Sequence, residues 1–195
     1  MVTTILLVRH GETDWNRQRR FQGHADVPLN ASGRAQVRAL AEQLPREQFA
    51  ALYTSTLRRA AESAEILGAA LGVDVHPRAA LREVDVGSWS GLTVAEIEAR
   101  YPQGFARWRD WRREGWEDGE AYADFSRRVV GALHEIAGDH PGQHVLAVTH
   151  GGPIRAALAA ALAIPLDKAH DRVAALENCA TVRIAVRDAR LEAVD

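Results

Sequence analysis

Leu6-Leu7-Val8-Arg9-His10-Gly11 and Leu146-Ala147-Val148-Thr149-His150-Gly151-Gly152 share one form: an apolar run, a polar residue, a histidine, then glycine. A short continuous apolar run closed by polar residues predicts a strand covered on both faces. In an open parallel sheet, ligands bind just beyond the carboxyl ends of the strands. Both histidines should therefore emerge on one sheet edge, facing each other across a small pocket if their strands are neighbours. Glycine after each histidine lets backbone N–H groups approach a ligand and permits a sharp exit from the strand. Gly151-Gly152-Pro153 also opens a helix, whose N-terminal N–H groups and dipole favour an anion.

The flanking sequence supplies the rest of a sheet and its helices. Ser32 is the expected cap of a helix whose apolar positions Val37, Leu40, Ala41 and Leu44 follow i, i+3, i+4, i+7 spacing, with Pro45 ending it. Ala51-Leu52-Tyr53-Thr54 reads as a second strand. A second amphipathic helix then carries Leu57, Ala60, Ala61, Ala64, Leu67 and Leu71 on one face. A short strand is expected over 73–76, a long helix through Phe125, Val129, Leu133 and Ile136, and a last strand over 181–186. Strands alternating with amphipathic helices predict an α/β three-layer sandwich, a mainly parallel central sheet with helices on both faces. No repeat, low-complexity tract or linker interrupts the chain, so 1–195 reads as a single domain. Its Trp- and Arg-rich stretch, about 93–121, is expected to cap one side of the site.

The 195 residues suffice for one well-buried core. A formal charge of −2 lacks the footprint of a nucleic-acid or membrane-surface binder, so an anion site must be a local cluster of positive groups. Cys179 is the only cysteine, which excludes an internal disulfide and multi-cysteine zinc sites. Arg9 and His10 cut the N-terminal apolar run short of signal or membrane-span length, and a cytoplasmic enzyme or binding protein is expected. Arg9 adjoins His10, and Arg58 and Arg59 start the helix after the Tyr53-Thr54 strand, on the same sheet edge. Arginine offers a permanently charged planar fork of donors suited to phosphate oxygens. Two arginines, two histidines and a helix N-terminus on one edge point to phosphoryl chemistry more than to carboxylate binding.

These residues carry a resemblance. Val8-Arg9-His10-Gly11-Glu12-Thr13 resembles the signature of the histidine phosphatase superfamily, in its phosphoglycerate-mutase-like branch. Asp14-Trp15-Asn16, Phe21-Gln22-Gly23, Pro28-Leu29 and Gly33 are similar to the family's phosphate-side loop. Leu57-Arg58-Arg59-Ala60-Ala61-Glu62-Ser63-Ala64 is similar to its second-arginine segment, placing that arginine at Arg59. Leu81-Arg82-Glu83 with Gly87-Ser88-Trp89-Ser90-Gly91 resembles the segment of the acid/base glutamate, and Thr149-His150-Gly151-Gly152 the second-histidine motif. Gly119-Glu120 with Asp124 and Arg128-Val129 resembles a further block, except that Ala121 replaces its usual serine; that block is expected to be structural.

The resemblance implies a two-step transfer. Neutral His10 attacks phosphorus and forms a phosphohistidine, with its other ring nitrogen donating to a backbone carbonyl. Arg9, Arg59, His150 and the Gly151 N–H hold the phosphoryl oxygens, and Asn16 donates to the same group. Gln22 and Gly23 border the substrate. Glu83 protonates the leaving alkoxide and then deprotonates the attacking water. Arginines supply the countercharge, so no metal or cofactor is implied.

Bland readings stand beside these. His10 alone is more often a satisfied strand-end histidine than a nucleophile; Arg9, Gly11 and the matching His150 strand reverse that balance. Nothing local marks Glu83, whose role rests on the resemblance. Arg58 reads as a surface charge, His134, His140 and His144 as solvated rather than metal-binding, and Cys179 as an inert buried thiol. Trp108 and Trp111 are expected to pack a small helix on the core, with a substrate wall the lesser reading, and Arg112-Arg113 to meet a second anion at most. A phosphatase of a small phosphorylated metabolite is favoured, because the chain runs little beyond the last strand and the 83–150 region is compact. A bisphosphate-dependent phosphoglycerate mutase and a catalytically silent phosphate-binding module are the alternatives. Sugar phosphates, nucleotides and α-ribazole phosphate all remain open as substrates, and a homodimer is the commonest assembly for such a chain.

Overall fold

In a computed structural model, residues 1–44, 49–109, 116, 118–166, 168–169 and 176–194 are described. Among them are six strands in one mixed sheet and seven helices, in the order β1 (Thr3–Arg9), α1 (Asp14–Arg17), α2 (Ala31–Gln43), β2 (Ala51–Thr54), α3 (Arg58–Leu71), β3 (Val75–Pro77), α4 (Val94–Arg100), α5 (Pro102–Arg109), α6 (Tyr122–Asp139), β4 (His144–Thr149), α7 (Gly151–Ala161), β5 (Thr181–Arg187) and β6 (Arg190–Val194). The strands lie in the order β3-β2-β4-β1-β5-β6. The first four run parallel, and β5 and β6 add an antiparallel margin beside β1.

Alternation along the central strands sorts side chains into two cores. Ile5, Leu7, Tyr53, Val145 and Ala147 face α6 and α7, where Phe125, Val129, Leu133, Ile136, Ile154 and Ala157 complete one cluster. Leu6, Val8, Leu52, Leu146 and Val148 face α2 and α3, meeting Val37, Ala60, Ala64 and Leu67. Each large side chain so buried contributes about 1.5–3 kcal/mol. Period two on both faces explains why β1 and β4 read as unbroken apolar runs: neither face meets water. The result is the expected three layers.

This layering positions the site. β1 and β4 are parallel neighbours, with Arg9 paired to Thr149. The chain after β1 leads to α2 on one face, and the chain after β4 enters α7 on the other. Divergence of the two connections leaves a crevice at the carboxyl ends, where open α/β sheets bind ligands.

Two details differ from expectation. Asn30, not Ser32, caps α2, its side chain accepting from the Gly33 N–H at 2.8 Å. Ser32 falls inside the first turn, because Asn30 already holds the extended backbone that a cap requires. The last strand is also followed by a further one, β6. The two-residue connection Asp188-Ala189 has φ of 47° and 58°, a left-handed turn that matches the twist of a hairpin without using glycine. Pro45 lies outside the described residues, and α2 ends at Gln43. No helix among the described residues is long and apolar enough to cross a membrane.

Candidate active site

The two strand-end histidines meet. The His10 N–H donates to the Thr149 carbonyl at 3.0 Å, tying the ends of β1 and β4 together. The rings of His10 and His150 pack edge to face, centroids 5.1 Å apart. His10 is 3% exposed and His150 fully buried. His10 Nδ1 lies 2.7 Å from the Gly11 carbonyl. A carbonyl only accepts, so Nδ1 carries the proton and Nε2 keeps its lone pair. His150 Nε2 lies 2.7 Å from Ser55 Oγ, which already accepts from the Leu57 N–H at 3.3 Å. The Ser55 hydroxyl proton has no other acceptor among the described residues; donated to Nε2, it leaves the proton of His150 on Nδ1, which is buried with no partner. Burial, then the charges of Arg59 and Arg9, hold His10 well below the usual histidine range against the Gly11 hydrogen bond. Burial, Arg59, His10 and Arg9 do the same to His150. Both rings are neutral at pH 7.

The arginines are fixed by carbonyls. Arg59, 1% exposed, donates from Nη1 to Ala25 and from Nη2 to Gly23, each at 2.8 Å. Gly23 accepts this bond from a turn at φ 46°, where a Cβ would also stand 2.6 Å from Val86 Cγ2. Burial lowers the Arg59 pKa to about 10 against the attraction of Glu83 and Asp26, so it stays charged at pH 7. Arg9 Nη1 donates to the Leu176 carbonyl. The Nε–H groups of Arg9 and Arg59 are both buried without acceptors. Arg58 instead turns outward and pairs with Glu62 at 2.8 Å.

Arg9, His10, Asn16, Gln22, Gly23, Arg59, Glu83 and Gly151 all line one cavity of about 310 Å³. Of the site residues expected from sequence, only His150 is not on its wall; it stands against His10. Asn16 Oδ1 accepts from Thr13 N and Thr13 Oγ1, each at 3.0 Å, and from Asn178 Nδ2 at 3.3 Å. Three donors on the oxygen leave the amide N–H groups for a ligand. Glu83 Oε1 accepts from the Val84 N–H at 2.9 Å, and Oε2 from the Gly152 N–H at 3.1 Å. The first turn of α7 thus holds the carboxylate at the cavity edge.

Several contributors carry no motif of their own. Ser63 accepts from the Gly11 N–H at 3.1 Å, and Asn178 donates to the His10 carbonyl at 3.0 Å. Arg128 donates to Ala80, Arg82 and Glu83 carbonyls at 2.9, 3.1 and 3.3 Å, and forks onto Glu120 at 2.8 and 2.6 Å. The block read as structural therefore clamps the backbone that carries Glu83. Ala121 caps α6 without a side-chain hydrogen bond. Arg155, which lines the cavity, lies four residues after Gly151 on α7, a spacing that puts both on one helix face. Trp108 packs on the core and lines the cavity beside Phe21, Trp116 and Tyr122, so the packing and wall readings are both met. Trp111, Arg112 and Arg113 lie outside the described residues. His140 bonds Tyr53 Oη and Gln143 at 2.9 and 3.1 Å. Cys179 is half-buried rather than buried, its thiol pushed up to about 11 by burial.

A fold with paired strand-end histidines beside buried arginines defines a phosphoryl-binding enzyme class, and comparison with known proteins agrees. The histidine phosphatase superfamily (branch 1) matches residues 5–195. The chain belongs to that family and is a phosphatase. It is 36% identical over 165 residues to phosphoserine phosphatase 1 of Hydrogenobacter thermophilus, covering 84% of this chain and 78% of that protein. It is 39% identical over 170 residues to glucosyl-3-phosphoglycerate phosphatase of Mycobacterium tuberculosis, covering 83% and 76%. A solved mycobacterial glucosyl-3-phosphoglycerate phosphatase in complex with VO3 superposes with a TM-score of 0.88 at 32% identity, over 98% of this chain and 96% of that one.

Proposed function

We propose that the protein hydrolyses a small phosphomonoester through a phosphohistidine on His10, in the cytoplasm and without a metal. One observation carries this reading: the Nε–H groups of Arg9 and Arg59, which line one cavity with His10, and Nδ1 of His150, whose ring packs on His10, are all buried without a partner. Buried donors are rarely left unpaired, and three of them around one point call for an oxygen-rich anion.

The steps follow from the hydrogen bonds. His10 Nε2 attacks phosphorus, and the P–O bond to the leaving group breaks. Arg9, Arg59, His150 and the Gly151 N–H hold the three non-bridging oxygens, with Asn16 donating from the opposite loop. Glu83 gives its proton to the leaving alkoxide. Water then attacks the phosphoryl group, its proton passes to Glu83, and the N–P bonding pair returns to Nε2. Gln22 and Gly23 border the departing group. A mutase would have to retain the first product and exclude water from the same cavity.

The test is hydrolysis of p-nitrophenyl phosphate by the wild type and His10→Ala, with and without EDTA. Hydrolysis indifferent to EDTA and lost in the variant supports the reading; inactivity of the wild type across a broad panel of phosphate esters overturns it. Isomerisation of 3-phosphoglycerate that requires a bisphosphate primer would assign the mutase instead.

A further inference from the structure

We propose that Ser55 is a positioning residue for the phosphoryl transfer: its hydroxyl holds the proton of His150 on Nδ1 and so makes that ring an uncharged hydrogen-bond donor to the phosphoryl group. The proposal deepens the phosphohistidine reading, on which it rests, and gives a role to a buried hydroxyl that no motif marks.

Three neighbouring strand ends build the arrangement. The sheet order places β2, β4 and β1 side by side. Ser55 follows β2, His150 follows β4 and His10 follows β1, so His150 stands between a hydroxyl and the nucleophile. Backbone bonds fix both flanks: the Ser55 N–H donates to the Val148 carbonyl and the His10 N–H to the Thr149 carbonyl, each at 3.0 Å. Ser55 and His150 are both fully buried, and Ser55 Oγ lies 2.7 Å from His150 Nε2. The strand ends thus place the ring, and the choice of its proton falls to Ser55.

A neutral imidazole carries one N–H, and the partner of one nitrogen decides which nitrogen bears it. With the proton on Nε2, a lone pair would stand at Nδ1, the atom that is buried without a partner, and it would repel a phosphoryl oxygen. A second proton on the ring would also supply the donor, but burial, Arg59, His10 and Arg9 all oppose an imidazolium there. The serine hydroxyl removes the choice. Its oxygen accepts from the Leu57 N–H at 3.3 Å, and its proton has His150 Nε2 as sole acceptor among the described residues. A carboxylate at this place could only accept, and would draw the proton to Nε2. Serine is small enough to be buried and able to donate, so Nδ1–H is left for the ligand with no charge added beside Arg9 and Arg59.

The test observes the proton itself. NMR of isotope-labelled histidine rings, in ligand-free protein at neutral pH, assigns His150 by its loss in His150→Gln. The wild type should show Nδ1 protonated and Nε2 unprotonated; the reverse overturns the proposal with no Ser55 variant needed. Ser55→Ala should move a measurable share of the proton to Nε2 and weaken calorimetric binding of inorganic phosphate by about tenfold, the scale of one hydrogen bond. Ser55→Thr, which keeps the hydroxyl, should restore both. In a His150→Gln background Ser55→Ala should change phosphate binding hardly at all, because the hydroxyl acts only through that ring. An equal loss with and without His150 overturns the proposal, since Ser55 would then be a structural support. So does Ser55→Ala protein whose Nδ1 proton and phosphate affinity are both unchanged. Failure of the phosphohistidine reading shows separately, as absence of His10-dependent hydrolysis of p-nitrophenyl phosphate, whereas the ring proton is observed without ligand or turnover.

Discussion

The two halves of the cavity are built by different means. The half proposed to take the phosphoryl group sits on strand ends: His10 follows β1, His150 follows β4, and the backbone ladder between the strands sets their separation. The leaving-group half sits on irregular chain. Glu83 lies between short turns at Ala79–Leu81 and Gly87–Trp89, and is held by side chains from elsewhere: Arg128 of α6, itself braced by Glu120, and His24, whose Nε2 is 2.8 Å from the Glu83 carbonyl. A sheet edge places groups through many shared backbone hydrogen bonds, and no single side chain is decisive for it. A clamped loop depends on a few charged contacts, so its geometry is more open to single substitutions. The phosphoryl half should therefore fail chemically when its own groups change, and the leaving-group half also when remote supports change.

The largest effect of this kind is expected at Arg59, which is proposed to hold the phosphoryl group and also ties down two carbonyls of the 23–25 turn. Arg59→Ala removes a phosphate donor and strands the Gly23 and Ala25 carbonyls. Losing one preorganised donor costs about 10²–10³-fold in kcat/KM. The two stranded carbonyls cost about 1–3 kcal/mol each where water cannot reach them. Arg59→Lys should restore little of either, because one ammonium cannot satisfy two carbonyls and a phosphate together. Steady-state kinetics with urea unfolding would check both; activity recovered fully by lysine would mean that only charge matters there.

At Glu83 the loss should depend on the ester. Glu83→Gln should slow alkyl phosphates by about 10²-fold, since their alkoxides need a proton, and aryl phosphates far less. Gly152→Ala offers a second route to the same result, because the added Cβ would stand 2.0 Å from Glu83 Oε1. It should move the carboxylate while keeping its charge. Equal losses on alkyl and aryl esters in either variant would remove Glu83 from the proton path.

Arg128→Gln tests the clamp itself. It removes no group from the cavity wall, yet by loosening the backbone that carries Glu83 should lower alkyl-ester turnover about tenfold with the same leaving-group signature. Combined with Glu83→Gln it should add almost nothing, since a mispositioned acid cannot be lost twice. A full additive loss in the double variant would show that Arg128 acts on stability alone.

How far the sequence disclosed each half follows the same division. Strand, arginine, histidine and glycine are adjacent in the chain at His10, and nearly so at His150, so the chemistry was legible together with the element that positions it. Arg59 could be separated from Arg58 only by resemblance, because both start the same helix and only packing decides which turns inward. Glu83 had no local mark at all: its supports lie at His24, Glu120 and Arg128, and long-range contacts leave no periodicity. Arg155 was overlooked although its four-residue spacing from Gly151 was readable. Ser32 reads as a cap from sequence although Asn30 is the cap, because both are good capping residues and only backbone angles separate them. The β6 strand was missed because Asp188-Ala189 makes a left-handed turn without the glycine that usually announces one.

The smallest expected effect is on stability, and it again divides the halves. His10 and His150 are neutral in the folded protein because burial and the flanking arginines hold their pKa values well below 6.5. In the unfolded chain both take up protons near pH 6.5. The unfolded state thus binds more protons as pH falls below about 7, and stability must fall with it until the folded values are reached. The slope is at most about 1.4 kcal/mol per pH unit for each histidine. Urea midpoints at pH 7.5 and 5.5 would measure it, with His10→Gln/His150→Gln as reference because other groups titrate equally in both proteins. The wild type should lose more stability than this double variant over that interval. Inorganic phosphate should restore part of the loss in the wild type, since it binds only the folded state and favours protonation of the rings beside it. An equal loss in both proteins would mean that the histidines titrate normally, and that the arginines beside them do not hold the nucleophile neutral.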